Sequence, residues 1–90
     1  MTDKEKILTY IGERCRYFRR RQGITIPEAA ERLGVSTRTI EAYGRGEHEM
    51  TTATAIRLAE IYKTTLSKLT NYRNALDELG IELHSPDQQP

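Results

Sequence analysis

An all-α fold of five helices is what this chain of 90 residues predicts. Helix start and stop signals recur along its whole length, apolar residues return every three or four positions, and no stretch alternates as a half-buried strand does. Length sets the scale. One domain of this size buries only about 60% of the surface that its unfolded chain exposes, which leaves little room for an internal catalytic cavity.

The first helix opens on a capping box, Thr2 with Glu5 three residues on, and carries Ile7, Leu8, Ile11, Cys15 and Phe18 at helical spacing until Gly23. A second box, Thr25 with Glu28, starts the second helix. Pro27 is tolerated in its first turn, where an N–H has no partner to lose; Ala29, Ala30 and Leu33 form its inner face, and Gly34 stops it. Ser36 is a good N-cap for a third helix, whose short stripe of Ile40 and Tyr43 is expected to end at Gly44. Thr51 or Thr52 caps a fourth, with Ala55, Leu58, Ala59 and Tyr62 on one side. Thr65 caps a fifth that carries Leu66, Leu69, Tyr72, Leu76 and Leu79 before Gly80. Residues 1–83 are thus expected to form a single domain with an extended last helix, and residues 84–90 a disordered tail with two prolines and no apolar anchor.

Composition narrows the class. With 30% charged and 37% apolar residues the chain reads as a soluble globular protein, and no apolar run approaches the ~20 residues that span a bilayer. The opening stretch MTDKEKILTY does not read as a secretory signal, and one cysteine makes no internal disulfide, so a cytoplasmic location is expected. Cys15, between Ile11 and Phe18 on the helical stripe, reads as a small buried hydrophobe. His48 and His84 belong to no metal-spaced set, and the glycines of YGRGE follow a helix instead of preceding one as a phosphate loop would. No enzyme activity, metal or cofactor is expected.

Charge is sorted along the chain. Residues 14–45 hold eight arginines against three acids, whereas residues 46–90 hold four bases against seven acids. Such a block is ordinarily a solvated helix face unless its arginines converge on one surface.

Two short helices joined by LGVS match the helix-turn-helix unit, in which a tight turn containing glycine sets the second helix where it can enter the DNA major groove. Gly34 permits the left-handed backbone of the turn, Val35 plugs the angle, and Ala29, Ala30 and Ile40 allow close approach. The run Ser36, Thr37, Arg38, Thr39 then has a second use. Short polar side chains at a helix N-terminus cap it in the free protein and are also what a groove-inserted helix offers to bases and phosphates.

From IGERCRYFRRRQGIT through IPEAAERLGVSTRTIEAYGRGE to TAIRLAEIYKTTLSKL, residues 11–69, the chain resembles the Cro/cI-type helix-turn-helix regulators of phages and bacteria. The resemblance implies a compact five-helix lambda-repressor-like domain that binds double-stranded DNA, as a dimer on a palindromic operator, and regulates transcription, with repression the expected direction. It puts Thr37 and Arg38 at base-reading positions, Ala42 one turn further on the same face with Glu41 beside it, Thr25 near a phosphate and Arg45 beside the DNA backbone. Ser36, Thr39, Arg19 and Arg20 complete the expected phosphate contacts. Arg38 could grip guanine in a bidentate fork or clamp a phosphate. Two departures stand out. Ile26 replaces the glutamine common at the start of the second helix, and Gly44 replaces the glutamate that usually pairs with the arginine at position 19. Arg19 is therefore expected to turn to Glu41 or Glu47, or to stay free to meet DNA.

A dimer surface is expected on the acidic half, from Leu69, Tyr72, Leu76, Leu79 and Leu83 on the last helix with Ile56 and Ile61 on the fourth. The alternative is that the last helix folds back on its own core. A second functional class also fits the sequence: an adaptor or antitoxin whose main partner is a protein.

Overall fold

Six helices make up residues 1–82, the part of the chain that the computed structural model describes. They are α1 (Asp3–Arg21), α2 (Ile26–Leu33), α3 (Thr37–Arg45), α4 (Thr52–Ile61), α5 (Leu66–Thr70) and α6 (Ala75–Leu79). Both capping boxes form: the Thr2 and Thr25 hydroxyls accept the Glu5 and Glu28 amides, and the threonine amides donate to the glutamate carboxylates in return. Ser36, Thr51 and Thr65 cap α3, α4 and α5 in the same way, each accepting an N–H three residues on.

The core gathers the stripes expected of it. Cys15, Ala29, Ala30, Leu33, Ile40, Tyr43, Leu58, Ala59 and Tyr62 are all buried, with Ile11, Phe18, Ile26 and Val35 packed against them. Gly34 takes φ 79° and turns α2 into α3, a backbone that only glycine adopts without strain.

Three expectations are corrected. Gly44 does not end α3; it is buried inside that helix, and Gly46, at φ 73°, is the cap. The single last helix is two, because Asn71 takes a left-handed conformation, φ 50°, that asparagine tolerates better than most residues. The Thr70 hydroxyl donates to the Leu66 carbonyl at 2.8 Å and helps to close α5. Leu69 is not on a dimer face: it is 0% exposed, since α5 is too short to have two apolar sides and spends this residue on the core. Ile61 also leans on the core, and Leu76 and Leu79 are half-buried, whereas Ile56 and Tyr72 are exposed. Leu83, His84 and the tail expected over 84–90 lie outside the described residues.

Two glycines set how closely α3 approaches α1. A Cβ on Gly12 would lie 2.6 Å from the carbonyl oxygens of both Tyr43 and Gly44, and one on Gly46 would lie 2.7 Å from the backbone of Thr9. Helix α3 therefore rests on α1 backbone to backbone. Helix α6 is tied to the same α1 by Tyr10, whose hydroxyl donates to Glu78 Oε2 at 2.6 Å and accepts from Asn71 at 2.6 Å.

Candidate nucleic-acid interface

With Ile40, Tyr43 and Gly44 turned into the core, α3 presents Thr37, Arg38, Glu41 and Arg45 outward, all exposed, with Ala42 half-buried among them. Their spacing places them on one face of the helix. At its N-terminus Ser36 Oγ accepts from the Thr39 amide at 3.2 Å and shares a 3.0 Å hydrogen bond with the Thr39 hydroxyl. One hydroxyl hydrogen of the pair is used within the cap, which leaves the other to donate outward. Thr37 and Arg38 make no side-chain hydrogen bond or ion pair to any described residue, so their polar groups face solvent in the free protein.

Thr25, at the start of α2, accepts the Glu28 amide at 3.2 Å. The hydroxyl stands at the helix N-terminus, where free N–H groups and the helix dipole favour a phosphate. Glu28, whose carboxylate accepts the Thr25 amide, is held below the ordinary carboxyl range by that bond and by the threonine hydroxyl. Ile26 is half-buried against the core; it offers an apolar edge where glutamine would offer a donor.

Arg45 takes the acids expected of Arg19, and Arg19 is in neither of its two expected states. Arg45 bonds to Glu47 and lies 3.6 Å from Glu41, and the Glu47 hydrogen bond stabilises its charged form further. Arg19 pairs with neither acid. It is half-buried, and its Nη1 donates to the Ile24 carbonyl at 2.8 Å while its own carbonyl accepts the Ile24 amide at 3.1 Å. Without a glutamate at position 44, the guanidinium takes the nearest backbone acceptor, and in doing so it fixes the loop that carries Thr25.

Sequence reasoning missed Arg16. Together with Arg19, Arg20, Ile26, Ile40, Glu41, Gly44 and Arg45 it lines a shallow cleft of about 270 Å³ between α1, α2 and α3. Four guanidinium groups face one carboxylate there. Its aliphatic stem crosses Gly44, where a Cβ would stand 3.1 Å from Arg16 Cγ, so the glycine that removes the usual acid also opens the path for this side chain. The signal was in the sequence: positions 16, 19 and 20 are one helical turn apart.

A family model for a helix-turn-helix domain matches residues 11–70, from the middle of α1 to the end of α5. The chain belongs to the helix-turn-helix domain family. This helix-turn-helix chain is 42% identical over 77 residues to a protein of Pyrococcus furiosus provisionally named an HTH-type transcriptional regulatory protein, covering 86% of the chain and 24% of that relative. A protein of the same provisional name from Pyrococcus abyssi is 32% identical over 71 residues, 78% of the chain and 22% of the relative. The chain thus spans about a quarter of the length of these relatives. Among solved structures, apo-HppE superposes with a TM-score of 0.69 at 28% identity, covering 92% of the chain and 46% of that one. An HTH_3 family transcriptional regulator from Vibrio cholerae also reaches 0.69, over 93% of the chain and 46% of its own, and at 24% identity it shares the fold.

Proposed function

We propose that this helix-turn-helix domain binds double-stranded DNA sequence-specifically and regulates transcription, as a repressor that reads its operator through the major groove with α3. The observation that carries the proposal is the exposed, uncommitted pair Thr37 and Arg38 at the outward end of α3, beside a cleft lined by Arg16, Arg19, Arg20 and Arg45. The provisional naming of both Pyrococcus relatives supports it. The division of labour follows from chemistry. Arg38 grips a guanine edge, Thr37 donates to a neighbouring base, and Ala42 offers only a methyl to a thymine. Thr25, Ser36, Thr39, Arg20 and Arg19 set the register on phosphates. Glu41 and Arg45 reach base edge and backbone only after their mutual ion pair opens, so DNA competes with Glu41 and Glu47 for Arg45.

Two copies related by a two-fold axis bind a palindromic operator with their α3 helices ~34 Å apart, one helical turn of DNA. Exposed Ile56 and Tyr72, with half-buried Leu76 and Leu79, supply the apolar surface for that dimer. Selection of bound sequences from a random duplex library is expected to return a palindrome containing guanine. Arg38→Ala then relaxes preference at that guanine, while Arg20→Ala weakens binding to all sequences alike and flattens its dependence on salt. Failure to enrich any sequence, or equal losses of specific and nonspecific affinity in Arg38→Ala, would remove the base-reading role.

A further inference from the structure

A second concentration of positive charge lies apart from α3. Arg14 and Arg21 of α1, Lys63 of the turn after α4 and Lys68 of α5 line one concavity of about 690 Å³ together with Tyr17, Phe18, Gln22, Thr64 and Thr65. No carboxylate is among the lining residues, and none of the four cations has one within salt-bridge distance among the described residues, which elsewhere form four such pairs. Glu78 is near enough for Arg14 to lower its pKa, but its two oxygens are already held by Tyr10 and Asn71. Gathering four like charges without a counter-ion opposes folding. The fold nevertheless fixes two of them in place. Arg14 Nε donates to the Lys68 carbonyl at 3.0 Å and the group sits 5.6 Å over the Phe18 ring; Arg21 Nη1 donates to the Tyr17 hydroxyl at 3.0 Å.

We propose that this concavity is a binding site for a small organic phosphate of nucleotide size. Its volume lies in the ~300–1,000 Å³ range of small-molecule sites. Two tethered guanidinium groups and two exposed ammonium groups suit a phosphate gripped by several donors at once. Tyr17, 53% exposed at the rim, offers a ring for the organic part. Thr64 adds a second observation: its hydroxyl is buried in this wall with no hydrogen-bond partner among the described residues, an unusual state for a polar group that a bound phosphate oxygen would satisfy. The concavity shares no lining residue with the α3 cleft, and the two are joined along α1 by a groove that Arg16, Tyr17, Arg20 and Arg21 line, so the test separates a small phosphate from a duplex.

The first arm of the test needs no DNA. Isothermal titration of the intact protein with pyrophosphate, AMP and ATP at physiological salt is expected to give saturable one-to-one binding, strongest for ATP. The double variant Lys63→Gln and Lys68→Gln, with circular dichroism and Tm unchanged, is expected to bind at least about tenfold more weakly, and Thr64→Val to bind more weakly than wild type. Absence of saturable binding for all three probes, or equal affinity in the double variant, overturns the proposal. So does a double variant that loses affinity for every duplex while wild type ignores the small phosphates, since the patch would then be a DNA-backbone contact. Failure of the operator reading leaves the titration result untouched.

Discussion

Replacing Gly12 by alanine tests the contact on which the placement of α3 depends. The added Cβ would stand 2.6 Å from two carbonyl oxygens of α3, and those atoms are backbone in a regular helix that cannot rotate aside. Restoring ordinary van der Waals distance requires α1 and α3 to part by a sizeable fraction of an ångström along their contact, and a gap of ~0.5–1 Å already forfeits a quarter to a half of each dispersion well. Overpacking of this kind costs ~1–3 kcal/mol, with the upper end appropriate where the obstacle is backbone. Against that, alanine gains up to ~1 kcal/mol over glycine in a helix interior. The net expectation is a loss of about 1–2 kcal/mol, which in a domain of this size lowers Tm by roughly 4–16 °C. Thermal and urea unfolding followed by circular dichroism measures it, with Glu13→Ala, exposed on the same helix, as the control that stays near wild type. A Gly12→Ala protein as stable as wild type, or more so, would mean that helix propensity outweighs the crossing and that α3 does not sit backbone to backbone on α1.

Leu69→Ala, at a fully buried position, is expected to cost ~2–5 kcal/mol, whereas Tyr72→Ala leaves Tm near wild type and lowers self-association measured by sedimentation; the opposite pattern would return Leu69 to an interface. Burial pushes the Cys15 thiol from 9.0 up to about 12, so at pH 8 a thiol reagent modifies it only when the protein is unfolded. The same burial raises Tyr62 from 10.0 to about 12; because the unfolded forms of both groups ionise first, their contribution is complete below about pH 9 and is lost as pH rises toward 12. Glu78 has the opposite sign. Hydrogen bonds from Tyr10 and Asn71 lower it from 4.5, so the link between α6 and α1 is intact above that pH and weakens as pH falls through the lowered value, seen as faster amide exchange in α6; Glu78→Gln removes this acid dependence.

Local features were legible in the chain because local interactions make them. Each cap expected at Thr2, Thr25, Ser36 and Thr65 forms, and Thr51 is the one of the two candidates, Thr51 or Thr52, that caps α4, since a hydroxyl three residues before a free N–H needs no distant partner. The same holds for Gly34 and for the inner faces of α2, α3 and α4, whose apolar period by itself selects the side that turns inward. From these the helix-turn-helix unit and the outward position of Thr37 and Arg38 follow.

Tertiary structure decided what depends on two elements meeting. Gly44 looks like a helix end in sequence, but it lies where α3 crosses Gly12 and the stem of Arg16, a requirement for space that only the crossing reveals. The period of Leu66, Leu69, Tyr72, Leu76 and Leu79 suits one long helix, yet Asn71 breaks it, with its side chain bonded to Tyr10 and Glu78 from elements far apart in the chain. Arg19 and Arg45 carry the same charge and similar stems in the sequence, and which of them meets Glu41 and Glu47 depends on angstrom-scale distances across α1 and α3. Caps, turns and inner faces were written in residues three or four apart. The arrangement of the arginines was not, because charge acts through space and the chain order does not record which helices lie side by side.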